Sequence, residues 1–355
     1  MSTILKANNL PVLTWNHFKV NNKQIQLSDK PDTANIPIIS SINKNIKIED
    51  KSSLVNFPGT DAKTSAYITN HASLTKTITI NKNTHVGQPL IFDLALKNAD
   101  KLTGLLDIIV EQNSTANIII TVSSANEAAG QYADLIRIKA QENSSLNIIC
   151  LQLLGKNFLS FNNVSACIEN NAKVVIRQIP IGAGTVLASA VTELNGYKAA
   201  SQIYADYIGH GEQDIDLNYI SRHYGKKSLS EIKINGLLLD SSKKTARGTI
   251  DFHRGCKGAA GNENENVLLL SENVKNKSVP LLLCNEDDVV GNHGAAIGTL
   301  DEEHLFYLKS RGIDEKTAQQ IFLDSAVSHL KNLLPETLAA KIDDYNKEVL
   351  FNESI

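Results

Sequence analysis

The feature that most constrains this chain is a turn-and-strand pattern that repeats about every 30 residues. The segment ENSSLNII, which begins at Glu142, recurs as ENNAKVVI at Glu169. One repeat earlier, NSTANII at Asn113 corresponds to NSSLNII at Asn143. Such a repeat is what a stacked-coil β-solenoid requires, because each coil places its turn and its apolar strand on those of the coil before.

Short β-branched runs continue from about Leu74 to Phe252, with no amphipathic helical stretch between them. They include TKTITI, GLLDIIVE, ANIIITV, LNIICLQL and KVVIRQI, and most are separated by Asn, Ser or Gly. Asn makes up about a tenth of the chain, and Asn favours turns and left-handed backbone positions. This pattern predicts an all-β fold. A β-sandwich is the alternative to a solenoid, but Asn-Gly hairpin turns between alternating strands are scarce.

After Asp301 the apolar residues change to helical spacing. A first helix is predicted to end at Gly312, and Asp314 caps a second helix. Pro335 begins a third helix, and each of the three has one apolar stripe and one charged face. The predicted organisation is an irregular N-terminal region over residues 1–76, a β-helix core over 77–300 and a helical domain over 301–355.

Charge and composition exclude several classes of function. There are 35 basic and 38 acidic residues, a formal net charge of −3, which gives no electrostatic case for nucleic acid or a membrane as partner. Because the N-terminus lacks a signal-peptide pattern and no apolar run is long enough to span a bilayer, we expect a cytoplasmic protein. The four scattered cysteines argue against a disulfide framework or a preformed metal cage, and we interpret them as packing residues: Cys150, Cys167, Cys256 and Cys284.

Two local patterns invite a catalytic interpretation that their details do not support. The stretch GCKGAAG, from Gly255 to Gly261, lacks the Gly-Lys-Ser/Thr of a phosphate loop and is predicted to be a solenoid turn. Glu286, Asp287 and Asp288 are adjacent, so on a strand their side chains would alternate in direction and mostly face solvent. We therefore expect no ATP binding by this chain, and no enzymatic activity.

The segment from Val279 to Ile313 differs from the rest of the chain. An apolar strand runs into acidic residues, then into His293 between Gly291 and Gly294, and then into a helix. A histidine with so little steric cover can contact another chain or bind a metal. An ordinary core or surface histidine is the alternative, and spacing alone does not decide between them.

This segment resembles the C-terminal signature of the SufB/SufD family of iron–sulfur cluster assembly proteins. The string DDVVGNHGAAIGTLDEEHLFYLKSRGI follows the family pattern of acid, Val, His-Gly-Ala, Gly, Asp and LFYL-x-SRGI. Upstream, the RGTI that begins at Arg247, the polar run before Leu268 and Pro280 match in order. The resemblance covers about residues 77–355 and implies a right-handed parallel β-helix with a C-terminal helical domain.

Within that family the chain resembles the SufD form. SufB-type chains carry a sulfur-accepting Cys before the Leu-Leu-Leu strand and a Glu directly after the signature His. Glu265 and Gly294 stand in those places here. SufD-type chains often have a Cys two residues before the His, where this chain has Gly291. The resemblance therefore implies that His293 is the residue for cluster assembly at an interface, as a metal ligand shared with the partner subunit.

The resemblance also implies partners. The chain would be a scaffold of a SufBCD-type complex, joined β-helix to β-helix to a SufB-like paralogue, or to a second copy of itself when isolated. A SufC-like ABC-type ATPase would dock on the C-terminal helices at Ile321, Phe322 and Leu330. No cofactor is expected to stay bound to the isolated chain, and the complex would hold a transient iron–sulfur cluster. A β-helix carbohydrate-active enzyme and a purely structural solenoid are the alternatives.

Overall fold

The chain winds into a β-solenoid in which each coil gives one strand to each of two facing sheets. The structure is a computed structural model, and it describes residues 2–14, 16–31, 37–40, 44–54, 57, 59–300 and 302–347. Strands make up 53% of the chain, and the solenoid has about 8 turns, with helices at its C-terminal end. The predicted mostly-β solenoid with a helical C-terminus is therefore confirmed.

The helices and strands of the described residues follow one another in three groups. The N-terminal elements are β1 (Ser2–Ala7), β2 (Lys23–Ser28), β3 (Ile38–Ser40), β4 (Ile46–Glu49) and α1 (Ala62–His71). The parallel strands are β5 (Leu74–Ile80), β6 (Leu90–Ala95), β7 (Lys101–Val110), β8 (Thr115–Ser123), β9 (Ala129–Ala140), β10 (Ser145–Leu153), β11 (Asn157–Ile168), β12 (Lys173–Pro180), β13 (Thr185–Leu194), β14 (Ala200–Gly209), β15 (Asp214–His223), β16 (Leu229–Leu238), β17 (Lys243–Phe252), β18 (Ala259–Leu269), β19 (Lys275–Cys284) and β20 (Val289–Thr299). The C-terminal helices are α2 (Glu302–Ser310), α3 (Glu315–Lys331) and α4 (Glu336–Tyr345).

The even-numbered strands from β6 to β20 form one wall, called here the even sheet, and the odd-numbered strands from β5 to β19 form the odd sheet. Neighbouring strands within each wall are parallel. The length of chain in one coil varies, because Leu159 pairs with Thr185 in a short step and Lys243 pairs with Lys275 in a longer one. At the N-terminal end, β3 and β4 pair antiparallel with the first strand of each wall, while β20 and β19 are the last strands.

The repeated Asn residues stack in the turns. Asn83, Asn113 and Asn143 have φ angles of 58°, 56° and 57°, in the left-handed region that Asn tolerates better than most residues. The Asn113 amide donates to Asn83 Oδ1 at 3.0 Å, and the Asn143 amide donates to Asn113 Oδ1 at 3.1 Å. The repeat seen in the sequence is thus a ladder of side chains that fixes each turn on the one before.

Each wall has its outer face covered by other elements. The β1–β2 hairpin and α1 pack on the odd sheet in a cluster that contains Leu27, Ile68 and Phe161. Helices α3 and α4 pack on the even sheet through Leu323 and Ile342. None of the helices within the described residues is long and apolar enough to cross a membrane.

The C-terminal helices begin and end where the sequence predicts. Gly312, with a φ of +83°, follows α2, and the Asp314 carboxylate accepts a hydrogen bond from Thr317 N at 2.8 Å at the start of α3. Pro335 directly precedes α4. Asp301 lies outside the described residues. The domain boundaries themselves stay predictions; the parallel strands begin at Leu74, and the N-terminal region before them includes the hairpin and α1.

Candidate functional site at the open end of the solenoid

The last coil of the solenoid is open. Within the described residues no strand pairs with the outer edge of β19 or of β20. Side chains that would be covered in any earlier coil are exposed here: Leu282 and Ile297 are each 43% exposed. The end of the lumen, the space between the two walls, is therefore accessible.

His293 lies at the mouth of this lumen. Its register partner on β18 is Glu263, and register partners on adjacent strands point to the same side of a sheet. Glu263 is buried, so His293 points inward, whereas its neighbour Asn292 bonds to Asn262 on the outer face. The imidazole is exposed because no further coil covers it, and it makes no hydrogen bond to any described residue.

Glu263 and His293 end a column that is apolar in the earlier coils. The column runs through Ile148, Ile176, Ile203 and Ile232, all fully buried, and then reaches Glu263 and His293. The neighbouring inward-facing column, two residues further along the same strands, ends in Ile234, Glu265 and Ala295. The chemistry of the lumen thus changes from hydrocarbon to ionisable groups over the last two coils.

A buried ion pair accompanies this change. The Lys244 ammonium bonds to the Glu265 carboxylate and lies 3.3 Å from both the Lys277 carbonyl and Ser278 Oγ. Burial lowers the pKa of Lys244, and the Glu265 carboxylate opposes that shift. Burial and then the charge of Glu265 raise the pKa of Glu263 to about 7. Glu263 accepts no hydrogen bond from any described residue, and its side chain is 4% exposed.

Small residues face Glu263 across the lumen. A Cβ added at Gly248 would overlap Glu263 Oε1, so glycine leaves the space that the carboxylate occupies. The partner of Gly248 in the last coil is Pro280. Both positions lack a long side chain, and the Glu263 carboxylate reaches across the lumen to Gly248.

The sequence did not reveal Lys244 and Glu263 as site residues. A signal exists in the alternation of NENEN, residues 262–266, which gives both glutamates the same parity as the inward-facing Val267. The polar run was interpreted only as part of the family pattern. Glu265, which the resemblance puts in the place of the SufB-type Cys, lies inside the lumen as the partner of Lys244.

The structure also shows how much space Gly291 has and how far each of the four cysteines is buried. A Cβ at Gly291 would lie 2.7 Å from Leu282 Cδ1, so Leu282 occupies the space that a cysteine at 291 would need. The interpretation of Cys284 as a buried packing residue is wrong: it is exposed in the open coil, because no later coil covers it. Cys167 is half-buried, and Cys150 and Cys256 are buried. Among the described residues, no group of three His, Cys, Asp or Glu side chains is arranged to hold a metal ion.

The glycine-rich stretch forms the turn that was predicted for it. Gly255 and Gly258 have φ angles of +105° and +73°, and strand β18 follows directly. The Gly255 amide donates to Glu286 Oε2 at 2.8 Å, and the Gly258 amide donates to the Asp288 carbonyl at 2.7 Å. Glu286 therefore ties two turns together, while Asp287 and Asp288 face solvent.

A second surface lies on the C-terminal helices. Ile321 and Phe322 are 49% and 38% exposed, whereas Leu330 is 3% exposed and packs against the even sheet. Leu330 therefore belongs to the internal packing of this chain and is not available to a partner. Phe306 and Tyr307 on α2 are also exposed. Phe322 borders a groove of about 550 Å³ between α3 and the even sheet.

Fold and site together define a parallel β-solenoid that ends in an uncovered coil with an exposed histidine. The family model described as "SUF system FeS cluster assembly, SufBD core domain" matches residues 97–326. This chain therefore belongs to the SufBD family of iron–sulfur cluster assembly proteins.

Curated relatives agree with this membership. The chain is 25% identical over 230 residues to the iron–sulfur cluster assembly protein SufD of Bacillus subtilis, covering 64% of this chain and 53% of that protein. It is 23% identical over 223 residues to SufD of Escherichia coli, covering 63% and 53%. A SufBD family protein of Mycobacterium leprae is 23% identical over 290 residues, covering 78% and 72%. The chain spans about half the length of the first two relatives.

Proposed function

We propose that this chain is the SufD-like scaffold of a SufBCD-type complex that assembles iron–sulfur clusters. In such a complex it pairs with a SufB-like paralogue and docks a SufC-like ATPase. The observation that carries this proposal is the open final coil with His293 at its mouth. The names of the curated relatives support the SufD assignment.

The open coil has the properties of an assembly surface. Strands β19 and β20 are 10 and 11 residues long, and their outer edges, which pair with no strand of the described residues, present backbone donors and acceptors. The exposed apolar side chains of Leu282, Val290 and Ile297 accompany these edges. A solenoid needs a terminal cap for solubility, and the end of a second β-helix supplies both hydrogen bonds and apolar cover.

His293 would act on the cluster, which is the cargo of the complex, from this interface. An imidazole can ligate iron, but thiolates are the usual ligands of such clusters. This chain has glycine at position 291, so thiolate ligands would come from the partner subunit. His293→Ala should therefore lower cluster yield in the reconstituted complex while the heterodimer stays intact.

Pairing is tested by co-purification with the paralogue from the native host. Ile297→Lys places a charge on the open coil and should abolish co-purification, because an unpaired ammonium would be buried at the interface. Ile4→Lys is the matched control, since Ile4 is an exposed apolar residue on β1, outside the two walls of the solenoid. Wild-type pairing by Ile297→Lys would contradict the proposed interface. A carbohydrate-active enzyme or a purely structural solenoid would recruit neither paralogue nor ATPase.

ATPase docking is tested without disturbing α3. Phe306→Asp and Ile321→Asp alter exposed residues, whereas Leu330 and Leu323 keep α3 on the even sheet. Both variants should lose ATPase pull-down, and Leu229→Asp should retain it. Because the glycine-rich stretch is a solenoid turn, calorimetric titration of the isolated chain with ATP should show no binding. Retained pull-down by both helix variants would place the ATPase elsewhere.

A further inference from the structure

The lumen column that ends in Glu263 and His293 contains a buried carboxylate, Glu263, that forms no ion pair with a described residue. The nearby Lys244 ammonium is bonded to Glu265, the second buried glutamate of β18. Glu263 therefore lies in the lumen without a hydrogen-bond donor among the described residues. A carboxyl group buried in this position either takes up a proton or is accompanied by a cation.

The position of Glu263 is also unusual for the column. Four preceding coils have isoleucine there, and isoleucine would fill the lumen without any charge. Gly248 on the opposite wall accommodates the carboxylate, since an added Cβ there would overlap Glu263 Oε1. Directly outward in the same column, on a strand about 4.8 Å away, the His293 imidazole makes no hydrogen bond to a described residue.

We infer that Glu263 and His293 form a divalent-cation site at the mouth of the lumen, with one ligand from each of the last two coils. Carboxylate oxygen and imidazole nitrogen together suit first-row divalent metals. The two residues hold the ion on one side, and the open coil leaves its other positions to water or to the partner subunit. The identity of the ion rests on the proposed function, which would make it ferrous iron bound for a cluster.

The site is tested on the isolated full-length chain with Co²⁺, which reports its ligand geometry through visible absorption. Glu263→Ile restores the isoleucine of the earlier coils, so it should fold with undiminished thermal stability. Both Glu263→Ile and His293→Ala should weaken Co²⁺ binding by roughly tenfold or more. Glu272→Gln and His85→Ala, which alter exposed residues elsewhere, are the matched controls and should bind like wild type.

The outcomes separate this inference from the proposed function. Loss of Co²⁺ affinity in both site variants, with intact stability and unchanged controls, supports the site. The site is overturned if the wild-type chain binds no Co²⁺ at millimolar metal, or if Glu263→Ile keeps wild-type affinity. Co-purification of the paralogue with Glu263→Ile is measured in parallel, because pairing depends on the proposed function and not on the metal.

Discussion

The buried salt bridge between Arg247 on β17 and Asp216 on β15 should be the strongest polar anchor of the N-terminal segment, which bonds to both residues. Arg247 is fully buried on the outer face of β17. Its guanidinium donates to Asp216 Oδ1 at 2.6 Å, to Asp216 Oδ2 at 3.1 Å and to the Val20 carbonyl. The Asn8 amide adds a bond to Asp216 Oδ1 at 2.7 Å. The ion pair thus holds both ends of the segment that connects β1 to β2.

Arg247→Met removes the cation and leaves Asp216 buried. Breaking one side of a buried pair costs about 3–5 kcal/mol, and the remaining Asn8 bond favours the lower end, near about 3 kcal/mol. Asp216→Leu should cost a similar amount for the same reason. In the double variant no charge is left unpaired, so its loss should fall short of the sum of the single losses by about 2–3 kcal/mol.

Urea unfolding followed by circular dichroism measures these free energies, and limited trypsin digestion shows whether the hairpin is released at Lys23. Arg222→Met is the control, because the Arg222–Glu193 pair is longer, at 3.3 Å, and partly exposed. It should cost no more than about 1 kcal/mol. Additive losses in the double variant, or an Arg247→Met loss no larger than the control's, would refute the reasoning.

Three further predictions concern buried groups and turns. Burial lowers the pKa of His223 to about 4 from 6.5. Its contribution to the free energy of unfolding, about 3 kcal/mol, is therefore complete above pH 6.5 and is lost as the pH falls towards 4. Urea unfolding of wild type and His223→Gln across this pH range should show the loss in wild type alone. Burial raises the pKa of Asp134 to about 7 from 3.8. The stability that the protonated Asp134 contributes is therefore lost as the pH rises from 3.8 to 7, the opposite direction to His223. The free energy of unfolding of Asp134→Asn should depend less on pH over that range than that of wild type. Asn143→Ala puts alanine, which tolerates the left-handed region less well than Asn, at a φ of 57° and removes the hydrogen bond to Asn113, so it should lower the free energy of unfolding by about 1–2 kcal/mol. Asn143→Gly removes the same hydrogen bond but permits this φ and should lose less; equal losses would show that the backbone conformation is not the cause.

The sequence was sufficient for the solenoid because the repeat is carried by local chemistry. The left-handed turns at Asn113 and Asn143 select Asn, and the strands between them select β-branched residues. The ends of the helices were predictable for a similar reason, since Gly312 and Asp314 act within one helical turn. Features that depend on neighbours in the chain could therefore be derived without the structure.

Features that depend on the number of residues between successive coils could not be derived from the sequence. This number differs from coil to coil, and no local signal places Glu263 next to His293 or brings Lys244 to Glu265. The prediction that the apolar stripe of the second C-terminal helix docks an ATPase had the same limit, because the sequence does not separate the buried residues of the stripe from the exposed ones. Ile321 and Leu330 both belong to it, but contacts with the even sheet decide which one is buried.

The hairpin that the Arg247–Asp216 pair fastens to the odd sheet has a consequence for synthesis on the ribosome. Asn8 bonds to a residue 208 positions later, and the Phe18 carbonyl accepts a bond from Lys277, 259 positions later. At about 5–20 residues per second, the hairpin waits on the order of 10–50 s for these partners. The segment between β1 and β2 can therefore dock only after the final coils have emerged, so a stalled or truncated nascent chain leaves this segment undocked and open to proteolysis.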